Sequence, residues 1–127
     1  MARPASKQPT EVELEILKLL WRTGASELRA ICDGLGRPVA TTTVATMLKI
    51  MLEKNLVKRE KGPKGYLWSA RVSESSTTRG MLRHLIDRAF DGSADRLVAR
   101  LLEDKGLSTD EVSEIRRLLD AHDGGER

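Results

Sequence analysis

The chain has one cysteine, Cys32, and four aromatic residues, Trp21, Tyr66, Trp68 and Phe90, in 127 positions. A single thiol excludes an intramolecular disulfide framework and a cysteine-rich metal site. With so few rings, any core must be built from Leu, Ile, Val and Met, which favours helices with aliphatic seams over an all-β sandwich. Long hydrophobic runs are also missing. Lys18 interrupts Ile16 to Trp21, and nothing approaches the roughly 18–20 apolar residues of a membrane span. Residues 1–9 contain Pro4 and Pro9 and no apolar stretch, so a disordered arm without a secretory signal is expected there, and the cytoplasm is the expected compartment.

Histidine is equally scarce. His84 and His122 stand far apart without partners at ligand spacing, and no His-Glu-x-x-His, P-loop or Gly-x-Gly-x-x-Gly pattern occurs. No enzymatic activity, no metal and no cofactor are expected. His84, Asp87 and Asp91 fall on roughly one side of a helix, which reads as a solvated polar edge or a weak metal site. Cys32, at an inward position, reads as a small core residue or a redox thiol.

The composition that remains is 39% hydrophobic and 32% charged, with a net charge of +3. Its distribution is uneven. Residues 37–71 carry eight basic side chains against two acidic ones, a local net of +6, whereas residues 72–127 carry nine basic and twelve acidic. A basic middle third beside an acidic tail third suggests that only the middle faces a polyanion.

Helix signals are clear at the start. Thr10 with Glu13 forms a capping-box pattern, after which Val12, Ile16, Leu19 and Leu20 recur at helical spacing and Gly24 ends the run. Ser26 is the expected N-cap of a second, shorter helix holding Leu28, Ile31, Cys32 and Leu35 inward, closed by Gly34, Gly36 and Pro38. A third helix opens in Thr41-Thr42-Thr43 and buries Val44, Met47, Leu48 and Met51, with Asn55 placed for a left-handed stop. Leu56 to Glu60 and Tyr66 to Ala70 then flank Lys61-Gly62-Pro63-Lys64-Gly65, the composition of a hairpin tip. Three helices followed by a hairpin is the winged-helix order.

From Ser73 the pattern is helical again. Ser73 or Ser76, then Ser93, then Ser108 with Glu111 cap three successive helices. The expected architecture is mainly α with a small β-hairpin wing: a winged helix-turn-helix over 10–72, a three-helix dimerisation segment over 73–122 and a frayed tail over 123–127. Each late helix carries an aliphatic stripe, supplied by Leu82, Leu85, Ile86 and Phe90, by Leu97, Val98, Leu101 and Leu102, and by Ile115, Leu118 and Leu119. About 50 residues bury too little surface to stand alone. A second copy of the same segment is the simplest cover; the alternative is a fold back onto the N-terminal part.

On the third helix, positions 42, 45, 46, 49 and 53 point away from the apolar face. Thr42, Ala45 and Thr46 are small, which suits a helix lying deep in a major groove, with Lys49 for phosphate. One of Thr41, Thr42 and Thr43 is expected to serve as a plain N-cap. Lys58, Arg59, Lys61 and Lys64 surround the hairpin tip, either as solvated cations or as contacts that position a sugar-phosphate backbone.

Taken in order, Thr10-Glu11-Val12-Glu13-Leu14-Glu15-Ile16-Leu17 with Leu20-Trp21, Thr42-Thr43-Val44-Ala45-Thr46-Met47-Leu48, Gly65-Tyr66, Phe90-Asp91-Gly92-Ser93 with Leu97-Val98, Leu101-Leu102-Glu103 and Leu107-Ser108 resemble the penicillinase repressor (BlaI/MecI/CopY) family from Pro9 to Asp120. The resemblance implies a homodimeric repressor on palindromic double-stranded DNA, with the C-terminal helices as dimer interface. It assigns DNA reading to Thr41, Thr42, Thr43, Thr46 and Lys49. It also implies a membrane-bound sensor protease as a partner of relatives. This chain departs from the pattern at Ile50, where relatives often carry a basic residue, and at Asn55, where they often carry Gly. It has no C-terminal cysteine pair, so copper sensing is not expected. The position of the β-lactam branch's Asn-Phe cleavage bond holds Arg100-Leu101, which leaves induction by cleavage open. A winged helix used only for protein binding is the rival reading; it leaves the +6 of residues 37–71 unexplained.

Overall fold

The computed structural model describes residues 8–103 and 106–125. In chain order it contains α1 (Glu11–Thr23), β1 (Ser26–Glu27), α2 (Leu28–Gly34), α3 (Thr41–Glu53), β2 (Val57–Gly62), β3 (Gly65–Ala70), α4 (Glu74–Ala89), α5 (Ala94–Glu103) and α6 (Thr109–Gly125). The chain divides into two compact units, Met1–Met81 and Leu82–Arg127, with the division inside α4; the boundary expected at residue 72 lay before that helix.

The N-terminal unit is a winged helix. Its first helix begins as the sequence indicates: Glu13 N–H donates to Thr10 Oγ1 at 3.2 Å and Thr10 N–H donates to Glu13 Oε1 at 2.8 Å. Ile16, Leu17, Leu19 and Leu20 of α1 meet Ile31 of α2, Val44, Leu48 and Met51 of α3, and Trp68 of β3 in one apolar cluster. Leu17, expected only to flank the stripe, is completely buried. Asn55 adopts φ 63° at the end of α3, the left-handed stop anticipated for it.

Four local expectations need correction. Ser26 does not cap α2; it pairs with Trp68 as part of β1, making a three-stranded antiparallel sheet in the order β1-β3-β2. Pairing with β3 claims the backbone of residues 26 and 27, so α2 starts one residue later, after Glu27. None of the three threonines caps α3; that position belongs to Ala40, whose extended backbone (φ −62°, ψ 139°) leaves Thr41 as the first helical residue. The wing strands run further than expected, to Gly62 and from Gly65, so only Pro63 and Lys64 form the turn. Gln8 and Pro9, assigned to a disordered arm, are part-buried, and Lys54 Nζ donates to the Gln8 carbonyl; residues 1–7 lie outside the described residues.

The C-terminal unit differs in kind. Ser73, Ser93 and Ser108 cap α4, α5 and α6 as anticipated. Hydrogen bonds from Ser93 hold the Asp95 carboxyl below its usual range, those from Ser108 do the same for Glu111, and Arg117 does so for Glu114. No residue of α5 is buried. The expected frayed tail is instead helical through Gly125, because a nucleated helix gains one bond for each residue added; Glu126 and Arg127 lie outside the described residues.

Candidate nucleic-acid interface

Val44, Leu48 and Met51 fix the rotation of α3 by sitting fully buried. That leaves Thr42, Thr46, Lys49 and Glu53 exposed on the opposite side. The start of the helix is chemically uncommitted. Thr43 and Val44 N–H groups donate to the Ala40 carbonyl, whereas the amides of Thr41 and Thr42, and the hydroxyls of all three threonines, have no partner among the described residues. Such a helix start favours an anion. Thr46 is different: its hydroxyl donates to the Thr42 carbonyl at 2.9 Å. What it offers outward is a pair of oxygen lone pairs and a methyl group, suited to a base-edge donor or a thymine methyl.

The wing brings some of the predicted cations together and separates another. The register pairs Arg59 with Trp68 and Lys61 with Tyr66, and pairs Lys58 with Ser69 and Glu60 with Leu67. Directly opposed residues share a face. Arg59 and Lys61 therefore stand on the aromatic face, and Lys58 stands beside Glu60 on the other. Between α3 and the aromatic face runs a cleft lined by Leu28, Ala45, Lys49, Arg59, Lys64, Gly65, Tyr66 and Trp68. Three cations from α3, β2 and the turn converge there, and no carboxylate lines it. Thr41 and Lys64 also meet in a neighbouring cleft with Arg29, Glu27 and Asp33 of the α2 region.

Two basic residues of the middle third drop out of this surface. Lys54 Nζ lies 2.7 Å from Glu13 Oε1 with both side chains almost wholly buried, and Arg37 pairs with Glu15 at 2.8 Å. The local charge of +6 thus overstates what a polyanion would meet. Sequence reasoning missed the Lys54–Glu13 pair, whose partners are 41 positions apart, and missed Tyr66. The only available signal for Tyr66 was its alternation with Trp68 along one strand.

The apolar residues assigned to dimerisation are mostly uncovered. Leu82, Leu85, Val98, Leu101, Leu102, Leu118 and Leu119 are 39–59% exposed, and Phe90, Leu97 and Ile115 are half-buried. Ile86 departs from that set: it is 4% exposed within one chain and has little surface left to offer a partner. Arg100 and Leu101 are exposed in the second half of α5, where Arg100 pairs with Glu103. Among the described residues no group of three His, Cys, Asp or Glu side chains is gathered as for a metal ion, and no helix is long and apolar enough to cross a membrane.

The profile of the penicillinase repressor family matches residues 9–121. The chain is 22% identical over 117 residues to the penicillinase repressor of Bacillus licheniformis, covering 91% of each chain. It is 23% identical over 112 residues to the methicillin resistance regulatory protein MecI of Mammaliicoccus sciuri, covering 87% of this chain and 91% of that one. In fold it is similar to wild-type MarR from E. coli, with a TM-score of 0.52 and 17% identity across 89% of this chain and 76% of that one. A winged helix whose third helix and wing leave their polar groups uncommitted, within a match running almost from end to end, places the assignment beyond fold alone: the chain belongs to the penicillinase repressor family of transcriptional regulators.

Proposed function

We propose that the protein is a homodimeric DNA-binding repressor that occupies an inverted-repeat operator through α3 and the wing and is held together by its C-terminal units. The observation that carries this reading is the cleft where Lys49, Arg59 and Lys64 converge without an acidic neighbour. A duplex with α3 in its major groove would bring a backbone strand to that cleft. The free amides of Thr41 and Thr42 would take a phosphate at the helix start, Thr42, Thr43 and Thr46 would meet base edges, and Lys61 would follow the backbone from the wing. Lys58 contributes least, since it stands beside Glu60 on the other face.

Dimerisation follows from burial. Seven large apolar side chains of α4, α5 and α6 are exposed in a single chain, and a second copy would remove them from water. Two copies of α3 would then read half-sites about one helical turn, roughly 34–36 Å, or a small multiple apart. Promoter access is blocked while the dimer is bound. Release requires an event that weakens the dimer, and cutting Arg100-Leu101 by a membrane-bound sensor protease is such an event. That bond lies inside α5, so the helix must open before it can be cut.

The test is a mobility shift with fragments selected from genomic DNA, repeated across salt concentrations. Several phosphate contacts per dimer predict a log-log slope of a few units, at about 0.9 for each phosphate neutralised. A slope near zero contradicts the proposal.

A further inference from the structure

Tyr66 is one of only two large apolar side chains that the described N-terminal unit leaves exposed, at 41%, and it stands on the wing. Its surroundings show what it does there. The Arg59 guanidinium lies 4.2 Å from the centre of the Tyr66 ring and 5.6 Å from that of Trp68. The two rings meet edge-on, 6.1 Å apart at 67°. Trp68 is itself packed into the core at 6% exposure, so a continuous run of contacts leads from the buried cluster to the Arg59 cation. Arg59 has neither an ion pair nor a hydrogen bond among the described residues.

An arginine held by a ring face keeps its full charge and its N–H donors, whereas one held by a carboxylate gives up both. A flexible arginine must also be ordered when a phosphate binds, and prior ordering removes that loss. We infer that Tyr66 is a positioning residue for the wing: backed by Trp68, its ring holds the Arg59 guanidinium at the α3–wing cleft, ready for a backbone phosphate. This rests on the DNA-binding reading above.

The experiment uses the full chain and a random-sequence duplex at low salt, because a phosphate contact is independent of sequence. Tyr66→Ala weakens binding by about two- to fivefold for each wing engaged, the range of an exposed cation–π contact. Tyr66→Phe, which keeps the ring, binds as the parent does. Arg59→Ala lowers the salt slope by about one for each wing, and adding Tyr66→Ala to it causes no further loss. Thermal unfolding midpoints of all four variants stay with the parent, since neither side chain belongs to the core. The inference is overturned if Tyr66→Ala weakens Arg59→Ala as much as it weakens the parent, or if Tyr66→Phe behaves like Tyr66→Ala. It is overturned alone if Lys49→Ala and Lys64→Ala weaken binding while Tyr66→Ala does not. If the parent itself ignores the duplex, the DNA-binding reading fails with it.

Discussion

The two units solve the burial problem in opposite ways. Among the described residues, every buried large apolar side chain except Ile86 belongs to the N-terminal unit, while seven of the nine exposed ones belong to the C-terminal unit. The first unit closes its core around Ile16, Leu17, Ile31, Val44 and Leu48 and leaves its polar groups free on α3 and the wing. The second holds its helices with serine caps and surface ion pairs and leaves its aliphatic stripes in water. One unit is complete as a folded body and incomplete as a ligand surface. The other is incomplete as a folded body, and a second copy is what completes it.

Breaking that contrast at its weakest side produces the largest effect. Leu102→Asp with Leu119→Asp places unpaired carboxylates on the stripe, where burial is opposed by several kcal/mol per ion. Sedimentation should show a monomer, and operator affinity should fall by orders of magnitude as two linked half-sites become independent. The N-terminal unit should keep its unfolding transition. A double variant that remains dimeric contradicts the assignment of these residues.

An intermediate effect is expected on the self-sufficient side. Lys54→Met leaves the Glu13 carboxylate buried without its cation, and loss of one partner from a buried pair destabilises by about 3–5 kcal/mol. Adding Glu13→Gln should recover much of that stability, measured by denaturant unfolding. If Lys54→Met is neutral, the pair does not tie the end of α3 to the start of α1.

The smallest effect is a pH dependence confined to the C-terminal unit. Hydrogen bonds from Ser108 and Arg117 depress the Glu111 and Glu114 carboxyls in the folded chain. A depressed folded value adds stability above the ordinary carboxylate value of about 4.3. That contribution is lost as pH falls through the folded values. Helicity of α6, followed by circular dichroism or amide exchange, should therefore decline below about pH 4 in steps absent from Glu111→Gln and Glu114→Gln.

Legibility in the sequence followed the range of the interaction. Thr10 with Glu13, Ser108 with Glu111, and Asn55 act within one helical turn, and each was readable from neighbouring letters. Strand β1 was not, because two residues carry no period and Ser26 has the composition of a cap. The cap of α3 was misplaced for a similar reason: three consecutive threonines suit the position equally, and the backbone turn at Ala40 decides against them all. The exposed face of α3 and the cationic tip were legible from periodicity and charge. The division of those cations between two faces, the burial of Lys54 and the Arg59–Tyr66 stack depend on strand register and on packing between distant segments, which a single sequence does not display.

The most direct test of the account is the mass of the full chain in solution, free and on an operator duplex, by sedimentation equilibrium at micromolar concentration. The account predicts two chains in the free protein and two on each inverted repeat. A free monomer, or a single chain occupying the whole repeat, contradicts it.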